Sequence, residues 1–187
     1  MPPRKLWRRK SAFFDGESAV SWLKNILLRI SPQVICALIA GVSLLSLAAA
    51  YMAQYGFGLL PCELCLIQRI PFAVNILLGF IGIFWATGQR GIICTSAVIF
   101  LINAAIAFFH SGVERHWWPG LEGCSAPQLG NAVSDILSRL EQTPAVRCDA
   151  IPWQFLGLSM ANYNVVFCAG LALLLFGYLY ITRHAKS

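Results

Sequence analysis

The sequence predicts an all-α integral membrane protein whose core is a bundle of four transmembrane helices. Its residues are 58% hydrophobic and only 12% charged, whereas soluble domains carry about a quarter charged residues. Four apolar runs are each close to the ~20 residues that a helix needs to cross a bilayer; they cover residues 34–53, 66–86, 91–109 and 163–181. The runs are continuous rather than alternating, which favours helices over the strands of a membrane β-barrel.

The net charge of +6 is distributed as membrane topology requires and does not indicate a nucleic-acid partner. Basic residues concentrate before the first run, between the second and third runs, and after the fourth: Arg4, Lys5, Arg8, Arg9, Lys10, Lys24, Arg29, Arg90, Arg183 and Lys186. Because Lys and Arg accumulate on the cytoplasmic side, both termini are predicted to be cytoplasmic. The loops at 54–65 and at about 111–162 then face outside, and the lipid bilayer is the expected partner.

Two regions of the chain follow from this pattern. Residues 1–32 form a basic cytoplasmic extension, and residues 33–187 form the four-helix membrane domain. The long outer loop contains the segment "LGNAVSDILSRLEQ", whose apolar residues fall on one helical stripe: Leu129, Val133, Ile136, Leu137 and Leu140. This spacing predicts a short amphipathic helix that lies either on the membrane surface or over the bundle.

The seven cysteines divide into two groups. Three lie inside the apolar runs, where a free cysteine behaves as a small hydrophobic residue: Cys36, Cys94 and Cys168. The other four all fall in the loops that Lys and Arg alone assign to the outside: Cys62, Cys65, Cys124 and Cys148. Disulfides persist in the oxidising space outside the bacterial cytoplasmic membrane, so these four most simply form two disulfides.

Three interpretations of the outer cysteines compete. A zinc site usually repeats a close cysteine pair or adds histidines at set spacing, but here the second pair is widely separated. Purely structural disulfides are the second interpretation. A bridge between Cys62 and Cys65 closes only a tiny loop, however, and therefore removes little entropy from the unfolded chain. The residues thus favour the third interpretation, a redox-active dithiol.

The stretch "PCELCLIQR" supports redox chemistry. If the second helix begins near Cys65, that sulfur lies at a helix N-terminus, where a thiolate is stabilised. Arg69, four residues on, is then on the same helix face and brings a positive charge. Cys62 is expected to be further out and freer to exchange with another thiol. Arg69 could equally be an anchor that extends its charge to the membrane surface.

Several segments together resemble the DsbB (disulfide bond formation protein B) family of bacterial inner-membrane proteins. The segment "LLPCELCLIQR" is similar to the first redox motif of that family. The segment "VRCDAIPWQFLGLSMANYN" resembles the signature that leads into its fourth helix, and "EGCSAPQ" fits the remaining loop cysteine. The resemblance covers nearly the whole chain after about residue 30.

The resemblance implies a thiol–quinone oxidoreductase. A reduced periplasmic thioredoxin-like carrier of the DsbA type would reduce a Cys124–Cys148 disulfide. Electrons would then pass to Cys62–Cys65 and on to a quinone of the membrane pool, ubiquinone or menaquinone, as in the route that keeps the periplasm oxidising. By position, Arg69 and Gln54 match quinone-site residues of the family. Glu114 and His116 do not align securely with its acidic–His pair and are left out of the predicted site.

The sequence alone leaves two other functions open. A four-helix membrane scaffold with purely structural outer disulfides would need neither a quinone pocket nor exchangeable cysteines. An enzyme similar to vitamin K epoxide reductase would share the four-helix bundle and the quinone chemistry. The segments "GLSMANYN" and "IQR" favour the DsbB type over both.

Overall fold

Four long helices dominate the fold in the computed structural model, which describes residues 26–121 and 146–184. Helix α1 spans Pro32–Tyr51 and continues as a π-helical turn, Met52–Gly56. A short helix α2, Glu63–Ile67, leads into α3, Arg69–Phe84, and α4 spans Gln89–Glu114. A two-residue hairpin, β1 Gln154–Phe155 and β2 Leu158–Ser159, precedes α5, Met160–His184. Four segments are long and apolar enough to cross a membrane: Pro32–Gly56, Glu63–Phe84, Gln89–Glu114 and Met160–His184.

The predicted four-helix architecture is confirmed, but two boundaries differ from the prediction. The third apolar run ends at Phe109, whereas α4 continues to Glu114 because the side chains of its last turn are buried against other elements. The small antiparallel hairpin was not predicted, since each of its strands is only two residues long. The predicted amphipathic loop helix, the basic segment before residue 26 and Cys124 lie outside the described residues.

The bundle is apolar on its outer surface as well as in its core, unlike a soluble protein. Large apolar side chains project outward from the helices, and Leu45, Leu173 and Phe84 are 70%, 72% and 84% exposed. The amides of Asn75 and Asn103 are fully buried between helices. A lipid environment explains both features, because hydrocarbon solvates the outward leucine and phenylalanine side chains and disfavours amides on the outer surface.

Helices α1 and α3 approach each other closely at two glycines of α3. A Cβ atom at Gly79 would lie 2.7 Å from both the Ala40 Cβ atom and the Cys36 carbonyl oxygen. A Cβ atom at Gly82 would overlap the Cys36 side chain. Small residues on facing helices allow this close packing, which holds the second half of α3 against the first half of α1.

We expect Gly79→Ala to destabilise the protein by about 1–3 kcal/mol, because the added methyl overpacks a backbone contact. The measurement is the midpoint of thermal unfolding in detergent. Gly41→Ala is the matched control, since a Cβ atom there has nothing within 4 Å and alanine is the better helix former. Equal midpoints for the two variants would contradict the close packing.

Candidate active site

The two cysteines of the Cys-x-x-Cys motif lie at the start of the second membrane-spanning segment. Cys62 is the N-cap residue of α2, with an extended backbone, and Cys65 lies within that helix. Their Sγ atoms are 3.3 Å apart, well beyond the ~2.05 Å of a disulfide bond. The pair is therefore a reduced dithiol whose two sulfurs are in hydrogen-bond contact.

The structure contradicts the expected positions of the two cysteines relative to the helix start and to solvent. The helix begins at Glu63, two residues earlier than the sequence suggested, so that Cys62 and not Cys65 stands at its start. Cys62 is also the more buried sulfur, at 5% exposure, because Leu64, Val113 and Cys148 pack around it. Cys65 is only half-buried and is the sulfur that opens toward the membrane-side cavity described below.

His110 is the polar partner of Cys62, and sequence reasoning missed it. Its Nε2 atom lies 3.5 Å from the Cys62 Sγ atom, and the imidazole is 3% exposed. The hydrogen bond from Cys65 lowers the pKa of the Cys62 thiol well below its usual value, against the opposing effect of burial. His110 lowers that pKa further through its own hydrogen bond and its charge. These contacts favour a thiolate on Cys62 in the reduced pair.

The pH dependence of Cys62 alkylation tests this assignment. A lowered pKa keeps the thiolate populated to lower pH, so we expect Cys62 of the reduced protein to react with iodoacetamide below the pH at which an ordinary cysteine does. In His110→Asn the midpoint of the rate profile should move to higher pH. Labelling is measured at Cys62 by peptide mass spectrometry in the presence of a chelator. A midpoint that is the same in both proteins would remove His110 from this role.

A chain of amides holds the His110 ring in place. The Gln68 Nε2 atom lies 2.9 Å from the Nδ1 atom of His110. Asn164 donates to Gln68 Oε1 at 2.6 Å, and the Cys168 thiol donates to Asn164 Oδ1 at 3.2 Å. These hydrogen bonds connect α5 to the start of α3. The "MANYN" segment at the start of α5 therefore positions His110, although the two are far apart in the sequence.

Glu114 lies on the outer side of His110, one helical turn further along α4. Its Oε1 atom is 3.8 Å from His110 Nε2, and its Oε2 atom accepts a hydrogen bond from Ser159. The Ser159 hydroxyl in turn accepts from the Asn162 amide at 2.8 Å. Glu114 is therefore part of the site, whereas His116 lies beyond the end of α4 and is exposed to solvent.

Arg69 and Gln54, two residues of the predicted site that lie on either side of the first outer loop in the sequence, are in contact. Arg69 Nη1 donates to Gln54 Oε1 at 2.8 Å, and the guanidinium lies over the Tyr51 ring, 4.7 Å from its centroid. The π-helical turn that contains Gln54 adds a residue to the helix and changes which side chains face α3; such turns are frequent at functional sites. The hydrogen bond and the stacking fix the guanidinium within the protein.

A cavity of about 440 Å³ opens beside these groups. Its polar edge is formed by Cys65, Gln68, Arg69 and His110, and its walls are largely apolar, with Leu47, Ala50, Phe72 and Phe167 among them. A concave, mostly apolar site with a few convergent polar groups is the usual form of a small-molecule site. A flat ring that carries carbonyl oxygens and an apolar tail fits this arrangement.

A second cavity, of about 260 Å³, lies on the opposite side of the cysteine pair. Cys65 and His110 line both cavities, whereas Cys62, Glu114 and Arg147 line only this one. Cys148 is fully buried, is disulfide-bonded, and belongs to the same apolar cluster as Cys62. The long loop therefore brings one of its predicted redox cysteines against the Cys-x-x-Cys pair.

Comparison with known proteins agrees with this geometry. The family model described as disulfide bond formation protein DsbB matches residues 32–177. The chain belongs to the DsbB family. It is 30% identical over 158 residues to disulfide bond formation protein B of Acidovorax sp. (strain JS42), which covers 78% of this chain and 86% of that protein. It is 34% identical over 143 residues to the protein of that name from Xanthomonas campestris pv. campestris (strain 8004), which covers 68% and 78%.

Membership of the DsbB family makes the protein a multi-pass membrane protein and an oxidoreductase of disulfide bond formation. The reduced Cys62–Cys65 pair, with one stabilised thiolate, is the chemistry that this activity needs. The residues that sequence reasoning missed are His110 and Gln68. One signal for His110 was present: His110 and Glu114 are ionisable residues one turn apart at the end of an apolar run, and ionisable groups at membrane depth are usually functional.

Proposed function

We propose that this DsbB-family protein is a dithiol:quinone oxidoreductase of the bacterial inner membrane that reoxidises a periplasmic thioredoxin-like carrier of the DsbA type. The observation that carries the proposal is the position of Cys65. Its sulfur lies 3.3 Å from Cys62, which packs with Cys148, and it also lines the 440 Å³ cavity that contains Arg69 and His110. Cys65 is thus the link between thiol exchange and a membrane-side acceptor.

The exchange steps on the outer side follow from this packing. The carrier thiolate attacks Cys124 and displaces Cys148; the second carrier thiol then attacks the resulting mixed disulfide, which releases the oxidised carrier and leaves Cys124 as a thiolate. Cys148 attacks Cys62 and displaces Cys65. Cys124 next attacks Cys148, which restores the loop disulfide and releases Cys62. Because a thiol of lower pKa is a better leaving group, the contacts that lower the pKa of Cys62 favour this release.

The products of these steps are an oxidised carrier and the Cys62–Cys65 dithiol. A quinone in the 440 Å³ cavity supplies an acceptor for two electrons and two protons. Arg69 is placed to stabilise negative charge on a ring oxygen, and its own position is fixed by Gln54 and Tyr51. The Cys62 thiolate, in contact with Cys65 Sγ, is positioned to close the disulfide as the electrons leave.

Quinone turnover tests the proposal. The purified protein is mixed with a reduced thioredoxin-like carrier and a soluble quinone, and quinone absorbance is followed. We expect turnover in the parent protein and in Cys94→Ser, whose cysteine is exposed on the outside of the bundle. Cys65→Ser should be inactive. If the parent protein reduces no quinone, or if Cys65→Ser keeps turnover, the protein is not this enzyme, and a scaffold with structural disulfides becomes the better description.

The same proposal places the redox loops in the periplasm and both termini in the cytoplasm. The turn between α3 and α4 should then be cytoplasmic, where Arg90 hydrogen-bonds to Thr182 near the end of α5 at 3.2 Å. A membrane-impermeant thiol reagent applied from the periplasmic side should label Leu156→Cys but not Thr87→Cys, both of which are exposed positions. Labelling of Thr87→Cys from that side would invert the topology.

A further inference from the structure

Three potential metal ligands converge at the reduced cysteine pair, and a fourth, Glu114, lies beside the histidine. The two thiols of Cys62 and Cys65 and a ring nitrogen of His110 lie within 4.8 Å of one another, and a carboxylate oxygen of Glu114 is 3.8 Å from that nitrogen. We propose that the reduced protein binds one thiophilic divalent cation, of the Zn²⁺ or Cd²⁺ class, through Cys62, Cys65, His110 and Glu114, and that the bound cation blocks reoxidation of the dithiol. The binding itself does not depend on the proposed function, whereas the inhibitory consequence does.

The distances fit a tetrahedral cation with little movement. With bonds of ~2.3 Å to sulfur and ~2.0 Å to nitrogen, two ligand sulfurs are separated by roughly 3.8 Å and a sulfur and a nitrogen by roughly 3.5 Å. The observed separations are 3.3 Å between the sulfurs and 3.5 Å from Cys62 Sγ to His110 Nε2. The sulfurs therefore need to open by only roughly 0.5 Å to match this geometry.

The surrounding hydrogen bonds suit a metal-binding histidine. A cation at Nε2 requires the proton on Nδ1, and that proton needs an acceptor. Gln68 can provide one if its amide turns over, so that its oxygen faces Nδ1. Asn164 can turn with it and accept from Gln68, which keeps every hydrogen bond of the chain. Ser159 holds the second oxygen of Glu114, so both the histidine and the carboxylate have supporting partners.

Charge and access also favour a divalent cation. Two thiols release two protons on binding, so the dithiolate cancels the charge of the divalent cation. The one remaining negative charge, on Glu114, is stabilised by the hydrogen bond from Ser159, which limits the cost of burying net charge. The 260 Å³ cavity lined by Cys62, His110 and Glu114 gives a route from the outer loops. Arg147, which also lines it, is paired with Asp149 at 2.6 and 2.8 Å, and this pairing reduces its repulsion of a cation.

The site exists only in the reduced protein. The thiolate is the metal ligand, and a disulfide between Cys62 and Cys65 removes both thiolates. No electrons are transferred when the cation binds, because two S–H bonds are replaced by two metal–sulfur bonds and the protons go to solvent. While the cation is bound, the sulfur lone pairs needed to close the disulfide are occupied, so electron transfer out of the pair stops.

Cobalt(II) is the probe for the test, since thiolate ligation gives it charge-transfer absorbance in the near ultraviolet. The full-length chain carries Cys124→Ser and Cys148→Ser, so that Cys62 and Cys65 are the only thiols of the outer loops, and is kept reduced in detergent without quinone or carrier. We expect one Co²⁺ per chain, displaced by Zn²⁺ or Cd²⁺, and no binding after the pair is oxidised. Cys94→Ser in the same background should bind Co²⁺ unchanged.

Two variants decide the result. Cys62→Ser should lose the charge-transfer band, and His110→Gln should weaken Co²⁺ binding at least tenfold while keeping hydrogen-bonding groups in place; thermal unfolding without metal confirms that both variants fold. Binding that is unchanged in either folded variant would overturn the proposed site. No quinone is present in this assay. A protein that binds Co²⁺ but fails to reduce quinone would therefore disprove the proposed function and leave the metal site standing.

Discussion

Replacing Cys148 with serine is expected to trap the carrier covalently on this protein. In the proposed order of exchange, the carrier attacks Cys124 and the displaced Cys148 carries the electrons to Cys62. Serine cannot perform this attack, and its presence leaves Cys124 as a free thiol. The variant is therefore mixed with the oxidised carrier: the Cys124 thiolate attacks the carrier disulfide, forms a mixed disulfide and displaces the second carrier thiol, and no Cys148 thiol is present to release the carrier in its reduced form. A reducible adduct between the two proteins should accumulate on a non-reducing gel, and quinone turnover should fall to background. The burial of Cys148 in one cluster with Cys62 is the structural basis for this expectation.

Two companion variants identify the sulfur that captures the carrier. Cys124→Ser should form no adduct, because the sulfur that bonds to the carrier is missing. Cys94→Ala should form none either and should keep turnover, since Cys94 is exposed on the outside of the bundle. An adduct through Cys62 in an otherwise intact chain would show that the carrier reaches the Cys-x-x-Cys pair directly, and the proposed order would be wrong.

The fold was predictable because a single physical constraint dominates it. A bilayer demands about 20 apolar residues per helix, and the four runs meet this demand directly. The helix ends were harder to predict. The last turn of α4 carries Ser111 and Glu114, which by composition belong to a solvent-exposed loop, but Asn162 and Ser159 satisfy them from α5 and the hairpin. Such long-range partners override the local polarity of a segment.

In the candidate site, the proximity of Cys62 and Cys65 could be predicted from their spacing, whereas the electrostatics and the contact between Arg69 and Gln54 could not. The spacing of Cys62 and Cys65 indicates a redox pair, but which sulfur becomes the thiolate depends on the burial of Cys62 and on His110, which is 48 positions away. The resemblance pointed to Gln54 and Arg69 separately. Their contact depends on a π-helical turn, and nothing in the residues "MAQYG" signals such a turn.

Arg69→Ala is expected to raise the Michaelis constant for quinone by about ten- to a hundredfold. Hydrogen bonds to charged groups contribute about 1.5–3 kcal/mol, and Arg69 is the cationic side chain that lines the 440 Å³ cavity among the described residues. Arg69→Lys should recover only part of the loss, because a lysine is a point charge that cannot keep both the hydrogen bond to Gln54 and the stacking on Tyr51. The measurement is steady-state quinone reduction at saturating reduced carrier.

Gln54→Ala distinguishes the effect of positioning the Arg69 guanidinium from the effect of removing its charge. It leaves the guanidinium in place but removes its 2.8 Å hydrogen bond, so we expect a smaller rise in the Michaelis constant, with little change in thermal stability. In the double variant Arg69→Ala/Gln54→Ala the effects should be less than additive, since Gln54 acts through Arg69 and residues in contact couple in this way. If Arg69→Ala instead lowers the unfolding midpoint in membranes and leaves the Michaelis constant unchanged, Arg69 is an anchor at the membrane surface and the cavity binds its ligand without it.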